Sequence, residues 1–409
     1  MKLLGEFNQQ LESLGELRYA WFTSFNINIE FIESYLLPAV LDMDPPKNRL
    51  DYEHFQLALN DKKIDFRVFC DLRFMEADQN KRTSIPVHGV STTRLDDFSK
   101  ESKFHPKVIY LEDIHGKRIL GCGSANLTLS GWGRNQEVFT FREIETKEQY
   151  NLVNHFFNII TENIGIDERL PQRRGLPTSD QTWSFVHSFD DDSTFLDKLF
   201  ADSRSHDLMV WTPYLPTDLA KFVIKLKKEV ELDDLHVHLV PDRVQGQYIS
   251  TSWNDELSSL VDKKALHFYD NPTTRHENVE LCHAKVWKLG SKLAIGSWNF
   301  TTPGSNLYSN LDEWDVNSNI EAGFILQEPG SWQQAVGKPI SMTADNFASP
   351  ELLEEESLQV PELLSFDIQV LFDWQKQQYT FAGNWNEGSV DDGYTIKIPD
   401  ISKLKFPNY

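Results

Sequence analysis

The feature that most constrains this chain is a repetition. A His-x-Lys segment followed by Gly-Ser-x-Asn occurs twice, as His105-Pro106-Lys107 with Gly123-Ser124-Ala125-Asn126 and as His283-Ala284-Lys285 with Gly296-Ser297-Trp298-Asn299. The serine follows the histidine by 19 residues in the first copy and 14 in the second, and each asparagine is followed by a hydrophobic residue and a threonine. One such fragment alone reads as an incidental surface pair or a turn. Two in the same order make coincidence a poor account, and an internal repeat of this length implies two similar halves.

The hydrophobic pattern around the motifs repeats as well. In the first half Tyr19 to Phe22 reads as a buried strand, Ile29, Phe31, Ile32, Leu36 and Leu37 fall at helical spacing, and Ile64 to Cys70 reads as a second strand. In the second half Leu208 to Trp211 is a strand, Leu219, Phe222, Val223 and Leu226 mark an amphipathic helix, and Leu235 to Val240 is the next strand. Gly165 to Asp180 collects Pro, Gly and charge without periodicity and reads as a linker. Past about residue 335, Phe366, Ile368, Val370, Phe372 and Trp374 alternate as a strand does, and Tyr379, Phe381, Tyr394, Ile396 and Ile398 suggest more of the same. The expected organisation is therefore α/β. Residues 1–165 and 181–335 form two α/β/α halves meeting as a pseudo-twofold pair, with a small β-rich element at 360–409.

Residues two apart on a strand face the same way, so His105 with Lys107, His283 with Lys285, Ser124 with Asn126 and Ser297 with Asn299 are expected to share one face. That face offers an imidazole, an ammonium, a hydroxyl and a carboxamide. Together these suit a phosphate group: lysine supplies charge, serine and asparagine supply donors, and imidazole can attack phosphorus or move a proton. The segments Asn135-Gln136-Glu137 and Asn319-Ile320-Glu321 follow the two motif blocks.

This constellation resembles the phospholipase D superfamily, whose signature is His-x-Lys with a downstream Gly-Ser-x-Asn, present twice. The block Gly123 to Thr128 followed by Ser130-Gly131-Trp132-Gly133 is similar to the tyrosyl-DNA phosphodiesterase and prokaryotic nuclease branches. The acid that often follows the lysine in that family falls at Glu112, with Asp113 beside it. In the second copy the position is Gly290, a departure that bears on a mainly structural residue. The resemblance implies a metal-independent phosphodiesterase acting through a phosphohistidine, with His105 as nucleophile, His283 as acid and base, and Glu137 and Glu321 as the carboxylates that fix an imidazole's tautomer and stabilise its charged form. The residues by themselves leave that order open. The family also spans phospholipases, so a phospholipid-hydrolysing enzyme and a catalytically silent nucleic-acid-binding scaffold stand as alternatives.

Composition narrows the partners. With 40 Lys and Arg against 62 Asp and Glu the net charge is -22, so no broad basic surface grips duplex, and a polyanion has to enter a local groove. Arg67, Arg73, Lys81, Arg82, Arg243, Lys263, Lys264 and Arg275 are candidates to line it, and Trp132, Trp298 and Tyr308 are candidates to stack on unpaired bases, with core packing favoured for Trp298. No cofactor or metal is expected. Cys70, Cys122 and Cys282 are widely spaced, and His236 and His238 lack a third ligand at suitable spacing. The opening residues are interrupted by Glu6, Glu12 and Glu16, and no stretch of about 18 apolar residues occurs, so a cytoplasmic, non-membrane protein is expected. Nucleic acid, DNA foremost, is the expected partner. By resemblance a helicase or another subunit of a prokaryotic antiviral defence system is a further one.

Overall fold

The computed structural model describes residues 2–385 apart from 75–82, 84, 96, 174, 179–181, 191, 192, 245, 246, 274–280, 308–317, 341, 350, 351, 354–360, 362–365, 374 and 375. Lys81, Arg82, Arg275, Tyr308, Trp374, Tyr394, Ile396 and Ile398 lie outside the described residues. The chain divides into two compact units, Met1–Glu362 and Leu363–Tyr409.

Within the first unit, β1 (Leu17–Ser24), β2 (Asp65–Asp71), β3 (Val87–Val90), β4 (Val108–Asp113), β5 (Arg118–Gly123) and β6 (Phe139–Glu143) form a mixed sheet in the order β3-β2-β1-β4-β5-β6. The pairs β1/β2 and β2/β3 are parallel and the others antiparallel. A second sheet holds β7 (Trp183–His187), β8 (Asp207–Thr212) and β9 (His236–Pro241). A short pair, β10 (Arg243–Val244) with β11 (Tyr248–Ile249), stands apart, and β12 (Leu266–Phe268), β13 (Val286–Leu289), β14 (Lys292–Gly296) and β15 (Ala322–Gln327) complete the second sheet. Its order, β12-β9-β8-β13-β14-β15-β7, repeats the order and strand directions of the first sheet, with β7 added as one more antiparallel edge.

Period-two alternation divides each central strand between two cores. Ala20 and Phe22 of β1, Ile109 and Leu111 of β4 and Ile119 of β5 face a core closed by the helical segments Lys2–Ser13, Ile29–Leu41 and Arg49–Lys62. The alternate residues Trp21, Val108, Tyr110, Leu120 and Cys122 face a different core, which they share with Phe185 of β7, Ile295 of β14 and Ala322 and Phe324 of β15. Between the sheets runs the helix Lys147–Asn163, opened by a capping box of Thr146 and Gln149, and its Val153, Phe156, Phe157 and Ile160 fill that shared core. On the second sheet Leu208, Val210, Val237 and Leu239 pack on the helices Phe195–Phe200, Leu219–Glu229 and Asp255–Asp262, while Met209, Trp211 and Val240 form a smaller cluster with Cys282 and Ala284.

Strands read from the hydrophobic pattern appear at β1, β2, β8 and β9, and the helix expected at 219–226 spans Leu219–Glu229. The segment read as a linker is instead tied down. Leu170 is buried, its carbonyl accepts from Asn154 and that of Pro171 from Tyr150, and Arg173 pairs with the buried Glu112. Prolines removed its periodicity without removing its partners. No described helix is long and apolar enough to cross a membrane.

In the second unit β16 (Phe366–Asp373) and β17 (Gln378–Trp385) form an antiparallel hairpin. The register sets Val370 opposite Phe381 and Phe372 opposite Tyr379.

The shared core is where the two sheets depend on each other. Phe156, fully buried there, is expected to cost about 3–5 kcal/mol when replaced by alanine. Urea unfolding of Phe156→Ala followed by tryptophan fluorescence checks this, and a loss below about 1 kcal/mol would contradict the assignment.

Candidate active site

Both His-x-Lys segments lie in extended backbone just before a strand, β4 or β13, where the sequence placed them on the strand itself. The reason is that each segment pairs across to the opposite sheet's half of the chain. Phe104 bridges Ile320 and Cys282 bridges Gln136. His105 N–H donates to the Ile320 carbonyl at 2.9 Å while Ile320 N–H donates to Lys103 at 2.8 Å. His283 N–H donates to Gln136 at 2.9 Å and Gln136 N–H to Leu281 at 2.9 Å. Asp71, at the end of β2, accepts the Phe104 N–H at 2.9 Å, and Asp242, just past β9, accepts the Cys282 N–H at 3.2 Å.

The crossed backbone bridges carry the carboxylates to the imidazoles. Glu321 Oε2 lies 2.8 Å from His105 Nδ1, 216 residues away in the chain, and both oxygens of Glu137 lie 3.0 Å from His283 Nδ1. Each glutamate is also held within its own half. The Asn135 amide donates to Glu137 at 3.2 Å and the Asn319 amide to Glu321 at 3.1 Å. Ser124 donates to Glu137 at 2.5 Å and accepts the Val138 N–H at 3.0 Å, and Ser297 accepts the Ala322 N–H at 3.0 Å. In the ligand-free site the serines thus serve the glutamates. A short hydroxyl beside the strand that carries the carboxylate reaches it first.

The lysines are almost fully buried. Lys107 Nζ donates to the His105 carbonyl at 2.6 Å, and Lys285 Nζ lies 3.1 Å from the His283 carbonyl and 3.0 Å from His283 Nε2. Ser24 donates to Asn126 Oδ1 at 3.3 Å, leaving the amide N–H groups for a ligand, while the buried Asn299 Oδ1 has no hydrogen-bond partner among the described residues. Behind the asparagines sit glycines at the same offset. A Cβ on Gly131 would lie 2.5 Å from the Asn126 carbonyl oxygen, and one on Gly304 would lie 2.9 Å from Asn299 Cβ, so neither position admits a side chain without moving the asparagine.

Electrostatics follow from burial among cations. Burial pushes His105 well below the usual imidazole range, and Lys107, Lys285, His283 and Lys103 push the same way. His283 is lowered by burial and by Lys285, against the pull of Glu137. Burial, then Lys285, brings Lys107 well below the usual ammonium range, and burial brings Lys285 to about 8. The glutamates differ. Burial raises Glu321 to about 8 despite Lys107, whereas for Glu137 burial is outweighed by His283, Lys285 and Ser124, and its pKa is lowered. The ligand-free site therefore keeps its imidazoles neutral beside buried lysines, a setting that favours an entering anion.

Several residues were not singled out from sequence: Asp71 and Asp242, the amides of Asn135 and Asn319, and the aromatic rings flanking the histidines. Phe25 stands 5.2 Å from His105 and Tyr214 stands 6.0 Å from His283, centroid to centroid. The repeated Asn-x-Glu and an Asp after the second strand of each half were visible signals for four of them. Other candidates go elsewhere. Trp132 is buried against Phe7 and Phe31, Trp298 stacks on Phe195 at 4.0 Å, Arg67 pairs with Asp65 and Arg73 with Asp71, and Arg243 pairs with Asp270. Lys263 and Lys264 are exposed. His238 stacks on Trp332 at 3.7 Å and bonds Asp207 at 2.9 Å, and His236 faces the Lys264 carbonyl. Glu112 is buried with Tyr110, Arg118 and Arg173, and Asp113 accepts the backbone N–H groups of Gly15, His115 and Lys117. Among the described residues no group of three or more His, Cys, Asp or Glu is placed to hold a metal ion.

The electrostatic picture has a direct spectroscopic consequence. In the ligand-free protein, 15N NMR of the imidazoles should show His105 and His283 titrating below the ordinary value of 6.5, and Glu137→Gln should lower the His283 midpoint further because the raising charge is gone. A midpoint above 6.5 for either histidine would contradict it.

No family model and no curated protein matches the sequence. Among solved structures the chain is similar to the yeast tyrosyl-DNA phosphodiesterase (12% identity, covering 78% of this chain and 86% of that one, TM-score 0.47). It is also similar to the phosphatidylserine synthase of Haemophilus influenzae Rd KW20 (12%, 81% and 82%, 0.48) and to the polyphosphate kinase of Porphyromonas gingivalis (11%, 79% and 45%, 0.43). At this level the likeness carries no functional argument, and the functional reading rests on the geometry of the site.

Proposed function

We propose that the two sheet-bearing parts of the first unit are related as copies, and that the chain is a metal-independent phosphodiesterase cleaving a nucleic-acid strand through a phosphohistidine. One observation carries the reading: two neutral imidazoles, each held at Nδ1 by a glutamate from the opposite half, beside two buried lysines. A phosphodiester is an anion that repels nucleophiles. Lys107, Lys285 and the amides of Asn126 and Asn299 neutralise and hold its non-bridging oxygens so that an in-line attack becomes possible.

Once ionised, Glu321 accepts from His105 Nδ1–H and leaves the ring's lone pair on Nε2, for which no described partner exists, while His283 Nε2 is met by Lys285. This difference supports His105 as nucleophile and His283 as proton carrier. His105 Nε2 forms the P–N bond as the P–O bond to the leaving oxygen breaks, and His283, charged in the presence of the bound anion, gives that oxygen its proton. Glu321 stabilises the positive charge on the phosphorylated ring. In the second step His283 takes a proton from water, the water oxygen bonds phosphorus, and the P–N bond breaks to regenerate His105.

Incubation in EDTA with labelled single- and double-stranded DNA, RNA and phospholipid vesicles tests substrate and chemistry together. Wild type should cleave nucleic acid, and His105→Ala and His283→Ala should each lose roughly 10²–10⁴-fold. With a p-nitrophenyl phosphodiester, whose leaving group needs no acid, His283→Ala should release one burst of nitrophenol and stall, while His105→Ala gives none. Cleavage of vesicles and no nucleic acid would overturn the substrate, and full activity in both variants would overturn the mechanism.

The pH profile carries a separate expectation. As pH rises through about 8, Lys285 loses its charge and anion binding weakens, while ionisation of Glu321 over the same range sets the His105 tautomer that attacks. kcat/KM should fall on that alkaline limb, and Lys285→Arg should move the limb to higher pH. A limb unmoved by the arginine would assign it to another group.

A further inference from the structure

The two sides of the site are not equivalent toward solvent. Beside His105, Phe25 is only 8% exposed and packs on Phe74 with ring centroids 4.3 Å apart. Beside His283, Tyr214 is 48% exposed. Its ring meets the His283 ring edge to face at 78°, and Lys285 Nζ sits over it 5.9 Å from the centroid.

The ring is carried on a stiff support. Thr212, buried at the end of β8, donates to the Tyr214 carbonyl at 2.8 Å and accepts the Phe300 N–H at 3.1 Å. Pro213 and Pro216 restrict the backbone on either side, and Thr251 donates to the Pro216 carbonyl at 2.7 Å. An aromatic side chain held this way offers a fixed flat surface at little cost in ordering.

We infer that Tyr214 is the stacking wall for an unpaired nucleobase on the leaving side of the scissile phosphate, so that the substrate is a single strand or a frayed end. The inference rests on the phosphodiesterase reading and deepens it. His283 protonates the leaving oxygen, so whatever that oxygen carries lies along the ring beside His283. Every nucleobase has a flat face that stacks on an aromatic ring without regard to sequence. A cationic leaving group, such as a quaternary ammonium head, would meet a ring already faced by the Lys285 ammonium. A paired base would have to leave its partner first. With a net charge of -22 the chain as a whole repels a polyanion, so local contacts of this kind have to supply affinity.

The test uses a single-stranded oligonucleotide with either a normal base or an abasic tetrahydrofuran at the nucleotide on the leaving side, cut by wild type, Tyr214→Ala and Tyr214→Phe, with kcat and KM separated. Wild type should lose roughly 5- to 150-fold in kcat/KM when the base is removed. Tyr214→Ala should lose a similar factor on the normal substrate, the two losses should not add, and Tyr214→Phe should restore discrimination between the substrates. The pH profile should be unchanged in Tyr214→Phe, since the ring and not the hydroxyl does the binding. If wild type cuts both substrates equally and still depends on His105 and His283, the stacking role falls and the nuclease reading stands. Additive losses, or equal cutting of single strand and blunt duplex, would also overturn it. If no nucleic acid is cut and phospholipid is, both readings fall.

Discussion

Each imidazole in the site is oriented by the half of the chain to which it does not belong. The constraint begins in the backbone: Ile320 pairs with the approach to His105, and Gln136 pairs with the approach to His283. One residue further along, Glu321 and Glu137 reach the Nδ1 atoms. Without the crossing, each half holds a histidine without its carboxylate and a carboxylate without its histidine. The proposed chemistry therefore needs both sheets in register, and β5, β14 and β15 share one core around the helix Lys147–Asn163.

Such a site opposes folding. Lys107, Lys285, Glu321 and both histidines are nearly removed from water, and burial moves most of them toward their neutral forms. The tension is the useful part. In the proposed reaction an entering phosphodiester supplies the negative charge that the buried lysines lack, so binding relieves an unfavourable arrangement and raises the proton affinity of His283 at the moment a proton is needed. The aromatic shared core, with Trp21, Phe156, Phe157, Phe185 and Phe324, offsets the cost by burying large apolar surface beside the polar centre.

Much of this was legible in the chain. Runs such as Tyr19 to Phe22 and Leu208 to Trp211 are apolar on both faces because they become central strands buried on both sides, and that pattern survives any context. The doubled segments named residues that the fold brings together, the two histidines with Lys107, Lys285, Glu137 and Glu321 among them, but not Asp71, Asp242, Phe25 or Tyr214. Less legible were residues whose fate depends on a neighbour far along the chain. Arg67 and Arg73 are basic in sequence, yet each is bonded to an aspartate two residues away. Trp132 is an aromatic beside a motif, yet Phe7 and Phe31 enclose it. The segment 165–180 has a linker's composition, yet its carbonyls and Arg173 find buried partners.

The sequence by itself determined the repeat, the residue types of the site and the alternation that sends one face of each strand to an outer core, because these depend only on spacing along the backbone. Only the tertiary structure decided which glutamate serves which histidine, that the serines hold the glutamates, and that Tyr214 is exposed while Phe25 is covered. Those outcomes depend on distances between residues as far apart as 216 positions, and spacing along the chain carries no information about which half the opposing partner comes from.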